Sequence, residues 1–341
     1  MIVIHSEAHR RRDALTELHG GRLVRPFERP ERVDHILARL AETGFPAPEA
    51  PAEHGLDPVA AVHDRGYLDF LASVWDDWRA LGHEGEAMAT VWPSRRMWRS
   101  AVPEDVEGRL GWYALAGETA ITEGTWAAAR AAADVALTAA RRVAEGAPAA
   151  FALCRPPGHH AAQDMFGGYC FLNNAAIAAQ ALRDAGAARV AVLDVDFHHG
   201  NGTQAIFYER GDVVFASIHG DPAHAFPHFL GGAEETGAGD GEGANHNFPL
   251  PPGTGWDDWS GALAAALAAV DGAEALVVSL GVDTFRDDPI SFFHLKSDDF
   301  LRLGEAIASR PHPTLFVMEG GYAVAEIGLN TVNVLQGYEG A

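Results

Sequence analysis

Cysteine is nearly absent: Cys154 and Cys170 are the two in a chain of 341 residues, and they do not form a paired CxxC arrangement. That excludes a disulfide framework and a thiolate-held structural zinc site. Each thiol reads as a small core residue in a reducing compartment. Positive charge is scarce as well, with 25 Lys+Arg against 47 Asp+Glu and a formal net charge of −22. A protein that binds by neutralising phosphates needs a basic face, so nucleic acid is not an expected partner, while a negative field gathers cationic small molecules. Long apolar runs are missing: nothing reaches about 18 consecutive apolar residues, and the opening MIVIHSEAHRRRDAL lacks the basic start, apolar stretch and cleavage site of a signal peptide. The expectation is a cytoplasmic protein with no membrane partner. Internal repeats and low-complexity linkers are absent too, which favours one domain over 1–341.

What is present alternates. Short apolar runs rich in Val, Ile and Ala, namely IVIH at 2–5, AAFALC at 149–154, VAVLDVDF at 190–197, VVFASIH at 213–219, ALVVSL at 275–280 and TLFVME at 314–319, read as strands buried on both faces. Between them, AAIAAQALRDAG at 175–186 and WSGALAAALAAVDGA at 259–273 read as helices closed by glycine. This order predicts an α/β fold, a mostly parallel sheet with helices on both faces and the chemistry in loops at the carboxyl ends of the strands. GAGDGEGAN at 237–245 reads as one mobile surface loop. The segment from about 75 to 126 breaks the rhythm. It holds Trp75, Trp78, Trp92, Trp98, Trp112 and Trp126, six of the eight tryptophans, with Arg95, Arg96 and Arg99, a composition typical of interface anchors.

The strand from Val190 runs into DVDFHHGNG, where Asp194, Asp196 and His198 recur at every second position and would project from one face of an extended chain. Asp283 follows ALVVSL on the same rim. Two carboxylates and an imidazole leave open positions for water and substrate, as hydrolytic zinc sites require, and oxygen-rich ligation also accepts iron, cobalt or manganese. RPPGHHA places His159 and His160 at the end of another strand, as a pair suited to proton transfer, with Asp194 and Asn201 available to orient them. A carboxylate behind one imidazole and an amide behind the other would separate their basicities. EGGYA presents Tyr322, whose hydroxyl suits a developing oxyanion.

Together RPPGHHA, DVDFHHGNGTQ, SLGVDTF and EGGY resemble the arginase–deacetylase superfamily, in particular its histone-deacetylase-like amidohydrolases and among them the bacterial acetylpolyamine amidohydrolases. The resemblance extends through PFERPERV at 26–33 and VHDRGYLDFL at 62–71. It implies a single-domain arginase/deacetylase fold around an eight-stranded sheet, with zinc held by Asp196, His198 and Asp283. It makes His160 the general base and then acid, His159 an electrostatic partner backed by Asp194, and Tyr322 the oxyanion donor. Asn201 stands where some relatives carry a second Asp, a feature similar to class II deacetylases. Oxygens near Asp194, Ser217 and Ile218 would bind a potassium ion. The segment near 75–126 is similar to a dimer-forming insertion, which implies a homodimer.

The same resemblance places the substrate chain in a tunnel lined by Gly168 and Tyr169 of FGGYCF, Phe226 and Ile290, with Glu17 and Glu107 as acidic positions near its mouth, Glu107 reaching across the dimer. An acidic rim on an acidic protein favours acetylated polyamines such as acetylputrescine, acetylcadaverine, acetylspermidine or acetylspermine over a folded protein's acetyl-lysine. The competing readings are a protein or peptide lysine deacetylase, a non-catalytic acetyl-amine binding module, and an arginase-like enzyme with two manganese ions.

Overall fold

The computed structural model describes residues 1–93 and 101–341. Trp98, Arg95, Arg96 and Arg99 lie outside the described residues. Six of the apolar runs form strands: β1 (Ile2–Ile4), β4 (Ala149–Ala152), β5 (Val190–Asp194), β6 (Val213–Gly220), β8 (Ala275–Leu280) and β9 (Thr314–Met318). Three more come from elsewhere, β2 (Glu17–His19), β3 (Arg22–Val24) and β7 (Asn245–Leu250). Among the described residues the parallel sheet therefore has seven strands where eight were expected, in the order β1-β4-β9-β8-β5-β6-β7, and β2 pairs with β3 in a separate antiparallel hairpin. Gly20 and Gly21 both take positive φ at the hairpin tip, the requirement of a tight primed turn.

The five interior strands are buried along their whole length. Alternate side chains serve two cores: Val190 and Val192 of β5 pack on one side of the sheet with the helices Thr125–Ala144 and Asn174–Asp184, while Ala191 and Leu193 pack on the other with the helices Glu31–Glu42, Trp256–Ala269, Ser297–Ala308 and Ile327–Gly340. Val135 and Ala139 of the Ala-rich helix are fully enclosed by the first core, and Trp259 by the second. Small alanines let that helix lie close to the sheet. The 175–186 and 259–273 helices exist with shifted ends, and Gly186 and Gly272 follow them in the left-handed region.

Strand β7, NHNFPL, carries polar residues and a proline because it is the sheet's edge, where one side has no neighbour to satisfy. The 237–245 loop packs down on the chain: Gly241 is buried, and a side chain at Gly237 would strike its carbonyl. In the 75–126 segment none of the five described tryptophans is buried outright; Trp78, Trp112 and Trp126 lean on the first core and Trp92 is exposed. Among the described residues no helix is long and apolar enough to cross a membrane.

Candidate active site

The site forms where β5 and β8, neighbours in space but far apart in sequence, end beside β4 and β9. β5 stops at Asp194, so Asp196 and His198 sit in a bent segment after the strand and their alternation is not that of an extended chain. This bend separates the three residues. Asp194 turns to His159, its Oδ2 lying 3.0 Å from Nδ1, whereas Asp196 and His198 join Asp283.

In that second group His198 Nδ1 lies 3.2 Å from Asp196 Oδ1 and 3.0 Å from Asp283 Oδ2. Tetrahedral ligands at about 2.0–2.2 Å from an ion are separated by roughly 3.4 Å, so this spacing fits a bound cation. The remaining carboxylate oxygens are held by the backbone: Phe197 N–H donates to Asp283 and Gly320 N–H to Asp196. A Cβ at Gly320 would fall 2.5 Å from Asp196 and 2.6 Å from Asp283, and one at Gly281 would fall 2.0 Å from Asp196, so glycine is required for the carboxylates to stand there. Both aspartates are fully buried. Burial and the Asp196 charge push Asp283 up to about 7, and burial is overcome by hydrogen bonds to the two aspartates in pushing His198 up to about 9. A donor set of two buried carboxylates and an imidazole thus holds more negative charge than the protein supplies cation to balance, which suits a divalent metal.

The histidine pair lies beside it, ring centroids 4.1 Å apart. Gly158 and His159 donate their N–H groups to the Glu319 carboxylate at 2.6 and 3.1 Å, fixing the turn. For His159, burial would depress the imidazole, but Asp196 and Asp194 overcome it and push the ring up to about 10. His160 has only the Asn201 amide oxygen, 2.6 Å from its Nδ1. Burial and the neighbouring His159 and His198 drive it well below the ordinary histidine range. An amide oxygen only accepts, so Nδ1 carries the proton and Nε2 keeps its lone pair.

A cavity of about 350 Å³ opens above these groups, with His160, His198 and Tyr322 among its lining residues. Gly168, Tyr169, Phe226 and Ile290 line it as well, joined by Phe197 and Phe292. A side chain at Gly168 would come within 2.2 Å of the His160 ring. Tyr169 stands at φ 66 and donates its hydroxyl to Glu17 Oε1 at 2.8 Å, and its ring meets Tyr322 at 5.5 Å. The Tyr322 backbone N–H is held by Asp288, its ring lies 5.0 Å from the Arg32 guanidinium, and burial pushes its hydroxyl well above the usual range, so it remains a donor.

Glu17 is a buried wall residue rather than part of an open rim; burial raises its carboxyl although Tyr169 and the Phe27 N–H hold it down. Glu107 does not line this cavity in its own chain; it is exposed and faces His83. Asp194 and Ser217 are register partners on β5 and β6, with Ser217 Oγ 2.8 Å from His219. Sequence reasoning missed Glu118, which lines the cavity and accepts the Gly168 N–H at 2.8 Å, together with His19 and His224. Nothing in the local pattern GETA marks Glu118; only the fold brings it to Gly168. Cys154 and Cys170 are buried, and burial pushes both thiols well up, as inert core residues require.

Comparison with known proteins agrees with this geometry. Residues 26–338 match the model of the histone deacetylase domain. The acetylpolyamine amidohydrolase of Mycoplana ramosa is 59% identical over 342 residues, covering 100% of both chains, and acetylpolyamine amidohydrolase 1 of Pseudomonas aeruginosa is 55% identical over 344 residues, covering 100% of this chain and 99% of its own. The crystal structure of an acetylpolyamine aminohydrolase from Burkholderia pseudomallei superposes with a TM-score of 0.94 at 42% identity, over 99% of this chain and 98% of that one. Seven parallel strands ending on a buried Asp-His-Asp group and a histidine pair, carried at such identity over the full length, make this chain an amidohydrolase and a member of the histone deacetylase family.

Proposed function

We propose that the protein removes the acetyl group from acetylated polyamines, such as acetylputrescine, acetylcadaverine, acetylspermidine and acetylspermine, releasing acetate and the free amine. The observation that carries this reading is the aromatic-walled cavity, lined by Tyr169, Phe226 and Phe292, with His160, His198 and Tyr322 beside them and Glu17 and Glu118 in its wall. A slim aliphatic chain fits aromatic faces, and its ammonium groups are attracted by those faces and by the carboxylates. The names of the relatives at 59% and 55% identity support the same substrate class.

Asp196, His198 and Asp283 would hold the metal, and zinc suits the donor set. Once bound, the ion supplies Lewis-acid polarisation of the acetamide carbonyl and acidifies water. His160 takes a proton from the attacking water at Nε2, the nitrogen that Asn201 leaves free. His159, backed by the Asp194 carboxylate, favours the cationic form and is the poorer base of the two. Its charge favours negative charge developing on the acetamide oxygen, and the Tyr322 hydroxyl donates to that oxygen as the tetrahedral adduct forms. His160 then returns its proton to the departing amine, completing the hydrolysis. By the same reading Glu107 contributes from a second copy of the chain, with the half-buried tryptophans of 75–126 forming the homodimer contact.

Relative kcat/KM values for the four acetylated polyamines and an acetyl-lysine peptide, measured on zinc-loaded protein, test the proposal. Small polyamines should be turned over more efficiently, and Tyr322→Phe should lower kcat by ~10²–10³-fold. A preference for the peptide would leave the chemistry standing and overturn the substrate; no turnover of any substrate would favour a binding role.

A further inference from the structure

A second cluster of candidate metal-ligating side chains lies at the carboxyl end of the edge strand β1, outside the cavity lining. His5 follows the strand, and Glu7 and His9 belong to the 3-10 turn Glu7–Arg11. One candidate ligand atom from each of the three falls within 4.8 Å of the other two. The histidine rings are 5.1 Å apart, and the residues are only 8% and 2% exposed. Among the described residues, neither ring nitrogen of either histidine has a hydrogen-bond partner of good geometry. Buried ring nitrogens without a well-formed hydrogen bond are costly unless something else engages them.

Glu7 is arranged to meet them. Its Oε2 accepts from Arg10 Nε at 2.9 Å, which leaves Oε1 facing His5 Nε2 at 3.5 Å. That is close to the roughly 3.4 Å separating nitrogen and oxygen ligands on a tetrahedral ion. The Leu153 carbonyl stands near the His5 ring, where it suits the acceptor that a ligating histidine uses to fix its other nitrogen. The backbone is pinned before any ion arrives: His5 N–H donates to the Glu49 carbonyl at 3.0 Å, and the His9 carbonyl accepts from Arg155 at 2.7 Å. Burial, aided at His9 by Arg155, lowers both imidazoles, His9 to about 3, so they are held in the neutral form that binds metal. The nearby cations are already matched, Arg10 by Glu7 and Asp34 and Arg155 by Glu28.

We propose that His5, Glu7 and His9 form a second metal site, taking a divalent transition cation such as zinc and leaving its remaining position to solvent on the exposed Glu7 side. The site clamps the end of β1 to the turn that leads toward Glu17. It does not rest on the substrate assignment above.

The test is a metal count on intact protein, stripped with chelator and dialysed against micromolar free zinc, with cobalt as a spectroscopic probe. Wild type should hold about two ions per chain, and Glu7→Gln and His5→Phe about one, with the second ion bound at least ~10-fold more weakly. Asp283→Asn should lose the other ion and keep this one. Glu7→Gln alters an exposed side chain, so it carries the test even if His5→Phe folds poorly, and its turnover of acetylputrescine should match wild type. A saturated wild-type count of about one overturns the proposal. So does a second ion that survives Glu7→Gln and disappears with Asp283→Asn, because that ion would belong to the catalytic site.

Discussion

Two of the places where the protein buries charge are opposite in design. Around Glu28, three arginines converge: Arg12 at 3.0 Å, Arg32 at 3.1 Å and Arg155 at 2.7 Å, all essentially inaccessible to solvent. Their surplus positive charge is covered by the carbonyls of Ala120, Gly321 and His9. Around His198 the surplus is negative and is only partly covered, by the three backbone N–H groups of Phe197, His198 and Gly320. The acid groups respond in opposite directions. Burial alone would raise Glu28, but Arg155, Arg12 and Arg32 hold it down to about 2, while Asp283 is pushed up to about 7. A buried cluster whose own side chains fix its carboxylate holds the fold together. One in which a carboxylate is driven toward protonation beside another that is held ionised is built for a cation from outside.

Substitutions that exchange these behaviours test the contrast. The largest effect is expected from Asp283→Asn: deacetylation should fall at least ~10³-fold, since Lewis-acid stabilisation is worth several kcal/mol. The metal-free variant should nevertheless melt no lower than metal-free wild type, because one of two repelling buried charges is gone. Glu28→Gln should do the reverse, costing ~3–5 kcal/mol in urea unfolding by leaving the guanidinium groups without their carboxylate.

A pH dependence follows from the same carboxylate. Its folded value of about 2 lies below the ordinary 4.5, so its stabilisation is complete above about pH 4.5 and is lost as pH falls toward 2. Acid titration of stability should show a loss of about 3 kcal/mol in that window for wild type, and the loss should be smaller in Glu28→Gln. The smallest effect concerns the histidine pair. Asn201→Asp would place a carboxylate behind His160, as Asp194 stands behind His159, and should move the acid limb of the kcat/KM profile up by about 1–3 pH units. An unmoved limb would mean that His160 is not the base.

The legible part of this molecule is local. Buried strands such as β5 and β8 announce themselves by unbroken apolar runs, and the residues at their ends are compressed into short motifs, so Asp196, His198, His159 and His160 can be found without coordinates. Strand β7 is hidden because an edge strand need not be apolar, and the hairpin because HGGR breaks a stretch with little apolar patterning. The Glu28 cluster is illegible for another reason: PFERPERV contains Glu28 and Arg32, but Arg155 lies 127 positions away and only the closed fold makes them one unit. Glu118 is invisible on the same grounds. The alternation Asp194, Asp196, His198 suggested one ligand face, and the chain instead bends after Asp194 and divides the three between two tasks.

The cavity wall is assembled from separate stretches of chain, with Glu17 from the hairpin, Glu118 ahead of a long helix, Tyr169 after the histidine pair, Phe226 beyond β6 and Ile290 beyond β8. The floor belongs to strand ends locked in the core, whereas each wall piece hangs on its own connection. Wall and floor are thus separable: on the proposed function, exchanging one loop should change which acylated amine enters, while Asp194 and Asn201 stay behind the proton-transfer pair beneath.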